Sequence, residues 1–236
     1  MIKIKRLLLI LLVLSPFFKV NILLAQKINQ LDVNKKRHGI WKKTHSNGRI
    51  RYIGTFNHGK EVGTFKFYDI TTSKFPISIK KFDNQTDTVQ VFFYTLKNKL
   101  RSKGKMIGKR RVGKWIYYFP NGTLFSEEFY INGKLDGTLK NYYKNQKTLE
   151  ETEYKNGLKN GVSKKYSDKG ILIEQVTYID GKENGEAKYF DLKGSLKEKG
   201  KYKNGNRIGK WEYYMDGEII TDKEKKKLNQ FKKNKK

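Results

Sequence analysis

Apolar and polar positions alternate along most of this chain in short runs, and the runs recur at a fixed step. Gly113, Gly137, Gly161, Gly185 and Gly209 each lie 24 residues after the last, and an aromatic-rich run follows most of them. A second glycine falls 20 residues into each unit, at Gly133, Gly157, Gly181 and Gly205. Three residues before it stands a tyrosine: Tyr130, Tyr154, Tyr178 and Tyr202. Alternation with period two predicts half-buried β-strands, and no run in the array carries the helical period. Self-similarity at a period of about 20 to 50 residues marks a repeat array.

Each unit reads as a β-hairpin. In the unit at Gly113, Lys114–Phe119 is the first strand and Leu124–Tyr130 the second. Between them Pro120 fixes φ and Gly122 supplies the left-handed position of a turn, and Asn132-Gly133 makes the return turn. Equivalent signals stand at Asn47-Gly48, Gly170, Gly194 and Gly217, and at Asn156-Gly157, Asp180-Gly181 and Asn204-Gly205. Two residues before the rung tyrosine the chain often carries a small residue (Gly54, Gly104, Thr152, Gly200), which leaves room for a ring on the adjacent strand to lie flat. Two residues after the first glycine stand Trp41, Phe65, Trp115 and Trp211, but Ser163 and Ala187 in the middle units. The middle of the array is therefore expected to pack less firmly on that face.

The register extends upstream through Gly39 and Gly63, with Phe56 and Gly59 in the tyrosine and second-glycine places. Gly63 and Gly113 are 50 residues apart, two periods plus two, and a degenerate unit anchored at Val89 absorbs the difference. Phe82 and Met106 then take the tyrosine places. Unit starts fall at 39, 63, 89, 113, 137, 161, 185 and 209, within an array spanning 39–220 that is irregular at 71–112, where residues 71–81 with Pro76 form an insertion. The expected fold is all-β: an elongated, single-layer antiparallel β-meander of about eight hairpins, roughly 75 Å long at ~4.8 Å per strand. The rung tyrosines should be mostly buried on one face.

The phrase Gly113-Lys-Trp115-Ile-Tyr-Tyr118, continued by Asn121-Gly122-Thr-Leu124 and by Tyr130-Ile-Asn-Gly133-Lys-Leu-Asp-Gly137, resembles the MORN repeat in its bacterial variant form. Gly209-Lys-Trp211-Glu-Tyr-Tyr214 restates it. The resemblance covers roughly residues 39–220 and departs from the pattern at 71–112, where most glycines are lost. It implies the hairpin-repeat fold and a role in scaffolding, membrane-surface attachment or partner binding. Many bacterial chains of this kind are described as antitoxin components of toxin–antitoxin systems.

Composition fits that reading. Apolar residues make up only 36% of the chain while aromatics reach 14%, as expected where rings are buried between neighbouring units instead of in a deep centre. The absence of cysteine excludes disulfides, thiol-rich zinc sites and a lipoprotein anchor. Lys3, Lys5 and Arg6, the apolar run Leu7–Phe18 and Leu24-Ala25 have the layout of a secretory signal peptide over residues 1–25, which places the mature chain outside the cytoplasm. Retention as an uncleaved anchor is the alternative, against which Pro16, Lys19 and Asn21 interrupt the apolar run. Residues 26–38 are polar and expected to cap the first strand's edge. Residues 221–236, dense in lysine, read as a solvated, disordered basic tail.

The formal charge is +29, and +25 once residues 1–25 are removed. Such a field attracts polyanions. Only eight of the 52 basic residues are arginine, however, and readers of bases and phosphates favour its planar fork, so nucleic acid is a disfavoured partner. His38, His45 and His58 match no metal-ligand spacing. Glu127 and Glu151 occupy the same repeat place and are expected to pair with lysines across strands, not to act as an acid and base. No nucleophile stands beside a base and no glycine loop leads into a helix, so neither catalysis nor a cofactor is expected. The chain reads as a non-enzymatic, exported protein-interaction or scaffold module of the cell envelope with a protein partner. The alternatives are a binder of anionic lipid or glycan surfaces and, by resemblance, an antitoxin. Rung and turn residues recur because the fold requires them, so specificity is expected where units differ: Arg37, His38, Lys109, Arg110, Arg111 and Arg207, beside the return turns.

Overall fold

A computed structural model describes residues 27–83, 85–221 and 223–224. The assigned signal peptide and all but the first few residues of the tail lie outside these. The described residues form one antiparallel sheet of 18 strands that pair in chain order, one strand being split into two pieces that share a neighbour. The strands are β1 (Gln30–Leu31), β2 (Arg37–Thr44), β3 (Ile50–Asn57), β4 (Lys60–Phe67), β5 (Ser78–Phe82) and β6 (Thr88–Tyr94). Then come β7 (Leu100–Ile107), β8 (Arg110–Tyr118), β9 (Leu124–Ile131), β10 (Lys134–Leu135), β11 (Gly137–Tyr142) and β12 (Thr148–Lys155). The last are β13 (Leu158–Tyr166), β14 (Leu172–Ile179), β15 (Lys182–Phe190), β16 (Leu196–Lys203), β17 (Asn206–Met215) and β18 (Glu218–Ile220). Both β10 and β11 pair with β9, so they are two pieces of one strand, interrupted at Asp136.

Turn chemistry sets this meander. In the return turns other than Gly108-Lys109 both central residues have positive φ, as at Asn132 (52°) and Gly133 (84°), which is the mirror-image turn whose twist matches that of the strands. The forward turns are longer: the Phe119 amide donates to the Thr123 carbonyl at 2.8 Å, and Gly122 closes back on Phe119. Gln146 fills the glycine place of one such turn with φ 67°. Gly217 departs from the sequence reading, which grouped it with the forward turns. With Asp216 it makes a two-residue positive-φ turn, so the last hairpin is cut short at β18. The insertion is a long forward turn over residues 68–77, and Phe82↔Val89 and Val89↔Met106 keep the degenerate unit in register.

One face of the sheet carries the core as a column running from unit to unit. Its centre is the place two after each unit start: Phe65, Val91, Trp115, Leu139, Ser163 and Ala187 are all buried. The middle of the array is thus packed as tightly as its ends, contrary to the expectation drawn from Ser163 and Ala187. The reason is complementary volume across the strands. Gly54, Gly104 and Gly200 face Phe65, Trp115 and Trp211, and a Cβ at any of the three would run into the facing ring. Thr152 stands opposite Ser163, their hydroxyls 2.7 Å apart, and Val176 opposite Ala187. Of the rung tyrosines, Tyr130 and Tyr202 are buried, whereas Tyr154 and Tyr178 are half-buried.

The ends of the sheet differ. At the first, β1 pairs with β2, and the Trp41 indole donates to the Gln30 carbonyl at 3.0 Å, so residues 28–31 cover part of that edge. At the other, β18 reaches only Tyr213, Tyr214 and Met215 of β17. Beyond it, Thr221 and Glu224 bond reciprocally, Thr221 Oγ1 and N–H to the Glu224 carboxylate and Glu224 N–H to Thr221 Oγ1. That exchange is a capping box.

Candidate functional site

The return-turn edge is built by a repeated hook. The second glycine's amide donates to the carbonyl two residues before its own unit's start: Gly59 to Arg37 (2.8 Å), Gly133 to Arg111 (2.9 Å), Gly157 to Leu135 (2.7 Å), Gly181 to Lys159 (2.8 Å) and Gly205 to Glu183 (2.9 Å). The amide is free to point there because the glycine sits at positive φ, where a Cβ is disfavoured. The hook draws each return turn against its neighbour and fixes the backbone of the place two before the unit start.

Three of the six candidate contact residues occupy that place, and each lies over a tryptophan four residues on. The guanidinium carbon of Arg37 is 5.2 Å from the Trp41 ring centre, that of Arg111 is 4.7 Å from Trp115, and that of Arg207 is 3.9 Å from Trp211. Arg111 also donates to the Tyr130 hydroxyl at 2.9 Å, which in turn donates to Glu128 at 2.6 Å. Arg207 bonds the Tyr202 hydroxyl and the Glu198 carboxylate. Burial opposes the charge of Arg111, yet the Tyr130 hydrogen bond raises its pKa above the ordinary value. Burial, followed by the bond to Glu128, pushes the Tyr130 phenol up. In sequence the signal is an arginine four residues before a tryptophan, present at all three tryptophans and overlooked in the reading of exposed arginines. Replacing Arg111 by lysine should cost about 1 kcal/mol, because an ammonium keeps the charge but loses the planar stack and the fork. A urea-unfolding cycle with Trp115→Leu measures that coupling.

The other three residues differ. His38 lies against His58 with ring centres 4.9 Å apart and planes tilted by 43°, and His58 Nδ1 meets the Asp32 carboxylate at 2.6 Å. Lys109 and Arg110 are exposed and make no ion pair or ring contact among the described residues, although the Arg110 stem lies against Gly133. Arg37, Arg111 and Arg207 belong to different hairpins, so the six do not form one patch; Lys109, Arg110 and Arg111 are neighbours. Around them the same edge exposes aliphatic side chains, Ile107, Ile131, Leu158, Ile179 and Ile208.

The remaining chemistry is structural. Glu127 meets Lys114 at 2.5 Å and Glu151 meets Lys140 at 2.8 Å, pairs made across strands on the face opposite the core column. Among the described residues no cluster of histidine and carboxylate side chains could hold a metal ion, and no helix is long and apolar enough to cross a membrane. The Lys114 bond holds the Glu127 carboxyl below its usual pKa, Tyr214 and Lys199 do the same for Glu212, and the Ser195 amide for Asp191. A carboxylate depressed in the folded state adds stability above its unfolded pKa, about 4.3 for Glu and 3.9 for Asp, and loses it as pH falls through the lower folded value. The urea midpoint should therefore be flat down to about pH 5 and fall steadily below about pH 4.

Residues 111–132, 159–180 and 183–204 match the family model of the MORN repeat variant. No curated protein matches the chain. Each matched segment runs from the hook carbonyl through one forward turn to the first residue of the next return turn, and the unmatched units repeat the same hairpin, register and hook where their glycines persist. Such repeats are interaction modules, typically without catalytic activity. The chain thus carries MORN-variant repeats in three of its hairpins.

Proposed function

We propose that the protein is an exported interaction module of the cell envelope that binds a protein partner along its return-turn edge. The observation that carries this reading is the row of exposed aliphatic side chains on that edge, from Ile107 to Ile208, flanked by Lys109 and Arg110, which no other part of the described chain covers. Exposed apolar side chains that recur along one edge beside basic ones are the composition of a partner site. Export supplies the compartment, on the strength of residues 1–25.

Crosslinked pull-down of the mature chain from its own cells tests this, beside a Lys109→Glu/Arg110→Glu variant. Arg111 is left in place because it holds Trp115. The expected result is a discrete partner, enriched outside the cytoplasm and lost at least tenfold by the variant. Capture that the variant leaves unchanged would overturn the reading.

A second reading is favoured by the opposite face, where Lys81, Gln90 and Lys105 stand in one cross-strand row with Lys103 beside them. Such a row suits an anionic lipid or glycan surface. Binding to phosphatidylserine vesicles that is abolished by moderate salt and insensitive to the edge variant would favour it.

A further inference from the structure

The return-turn edge is open at one place. Glu61 and Asp87 hold the position that carries the hook carbonyl elsewhere, yet among the described residues no hook reaches either. β4 and β5 pair from Thr64↔Lys81 to Phe67↔Ser78 only, and beyond Phe82 the chain runs out through Asp83 and Thr86 instead of turning back in two residues. The two hairpins part there and leave a groove of ≈ 1030 Å³. Phe82, Val89 and Met106 form its floor, and Glu61, Asp83 and Asp87 stand around it. Of the two lysines on its walls, Lys80 is turned onto the Phe67 ring at 5.4 Å and Lys60 stands at the return turn. None of the three carboxylates is in an ion pair among the described residues.

The protein's own arginines show what such a place holds. Over Trp211 and Tyr202, the Arg207 guanidinium rests on rings and bonds the Glu198 carboxylate. Over Trp115 and Tyr130, Arg111 does the same with Glu128 reached through the Tyr130 hydroxyl. In the groove the apolar floor and the carboxylates are present, but the position of the internal arginine is taken by Glu61 and Asp87, whose charge is opposite. We propose that this groove receives an arginine-bearing extended segment of a partner protein, the side chain lying over Phe82 and Met106 between Glu61 and Asp87. This rests on the interaction reading above and names the chemistry of the partner. A planar guanidinium suits the place better than an ammonium, since it can stack on the floor and bond a carboxylate with its edge.

The test uses the full chain and a fluorescein-labelled acetyl-(Ala-Arg)4-amide peptide, followed by fluorescence anisotropy. The protein's positive field repels this peptide at long range, so saturable binding reports local carboxylates. Binding is expected, with (Ala-Glu)4 unable to compete. Glu61→Lys/Asp87→Lys should weaken it at least tenfold, and the neutral pair Glu61→Gln/Asp87→Asn about threefold or more, with the far-ultraviolet spectrum unchanged in both. Absence of saturable binding, competition by (Ala-Glu)4, or indifference to both variants would overturn the proposal. If the peptide fails while cellular capture remains sensitive to Lys109→Glu/Arg110→Glu, the groove falls and the edge stands. If the peptide behaves as expected and that capture is unaffected, the groove stands and the edge falls.

Discussion

Replacing Trp115 by alanine is expected to lower the stability of the array by about 4 kcal/mol, the order found for a fully buried indole. The ring is 1% exposed and lies flat on Gly104, edge-on to Tyr130, with its Nε1 donating to the Lys105 carbonyl at 3.0 Å. Removing it leaves a cavity on the backbone of β7 that a glycine cannot fill. The reciprocal change, Gly104→Val, should cost about 2 kcal/mol by overpacking, because a side chain there meets the indole. The two together should cost less than their sum. The double variant reproduces Val176 opposite Ala187, which this fold already carries in the same repeat places three hairpins on. A urea-unfolding cycle should give a coupling of about 1–3 kcal/mol in the direction of mutual rescue. Additive losses would show that cross-strand volume does not govern packing.

Alanine at Tyr202 should cost about 3 kcal/mol, clearly more than alanine at Tyr178. Tyr202 is buried, sits edge-on to Trp211 at 5.1 Å, and its hydroxyl meets those of Tyr189 at 3.2 Å and the Arg207 guanidinium at 3.3 Å. Tyr178 is half-buried; Lys159 lies 5.0 Å from its ring centre, and the column beside it is the small residue Ser163. Phenylalanine at position 202 separates the ring from the hydroxyl and should cost about 1 kcal/mol. Burial raises the Tyr178 phenol to about 12, so it stays neutral in the fold past its ordinary value near 10; that contribution is present below pH 10 and is lost as pH rises toward 12. Equal losses for Tyr178→Ala and Tyr202→Ala would show that rung burial does not rank these sites.

What could be read beforehand follows from contacts local to one hairpin. The period of 24, the turn glycines and the alternation of Leu172, Val176 and Tyr178 predict strands, turns and the buried face, because pleat and turn geometry act over a few residues. The pairing of Glu127 and Glu151 with lysines was legible for the same reason, since each meets a lysine on the strand just before it in the chain. The tight packing of the middle units does not follow from Ser163 and Ala187 taken singly. Each residue's partner stands 11 residues away on the adjacent strand, and it is the pair that fills the space.

The amino-acid sequence by itself determined a single antiparallel meander with a core on one face, for a repeat of hairpins leaves its strands no other neighbours to pair with. The tertiary structure alone decided the roles of the exposed charges. Arg37, Arg111 and Arg207 turn back onto tryptophans, while Lys109 and Arg110, in the same stretch as Arg111, stay in solvent. It also decided that the edge closes through glycine amides that reach 22 residues back, and stands open where Glu61 and Asp87 receive no such bond. Those outcomes rest on how neighbouring hairpins meet, and a bond between hairpins depends on the course of both chains at once.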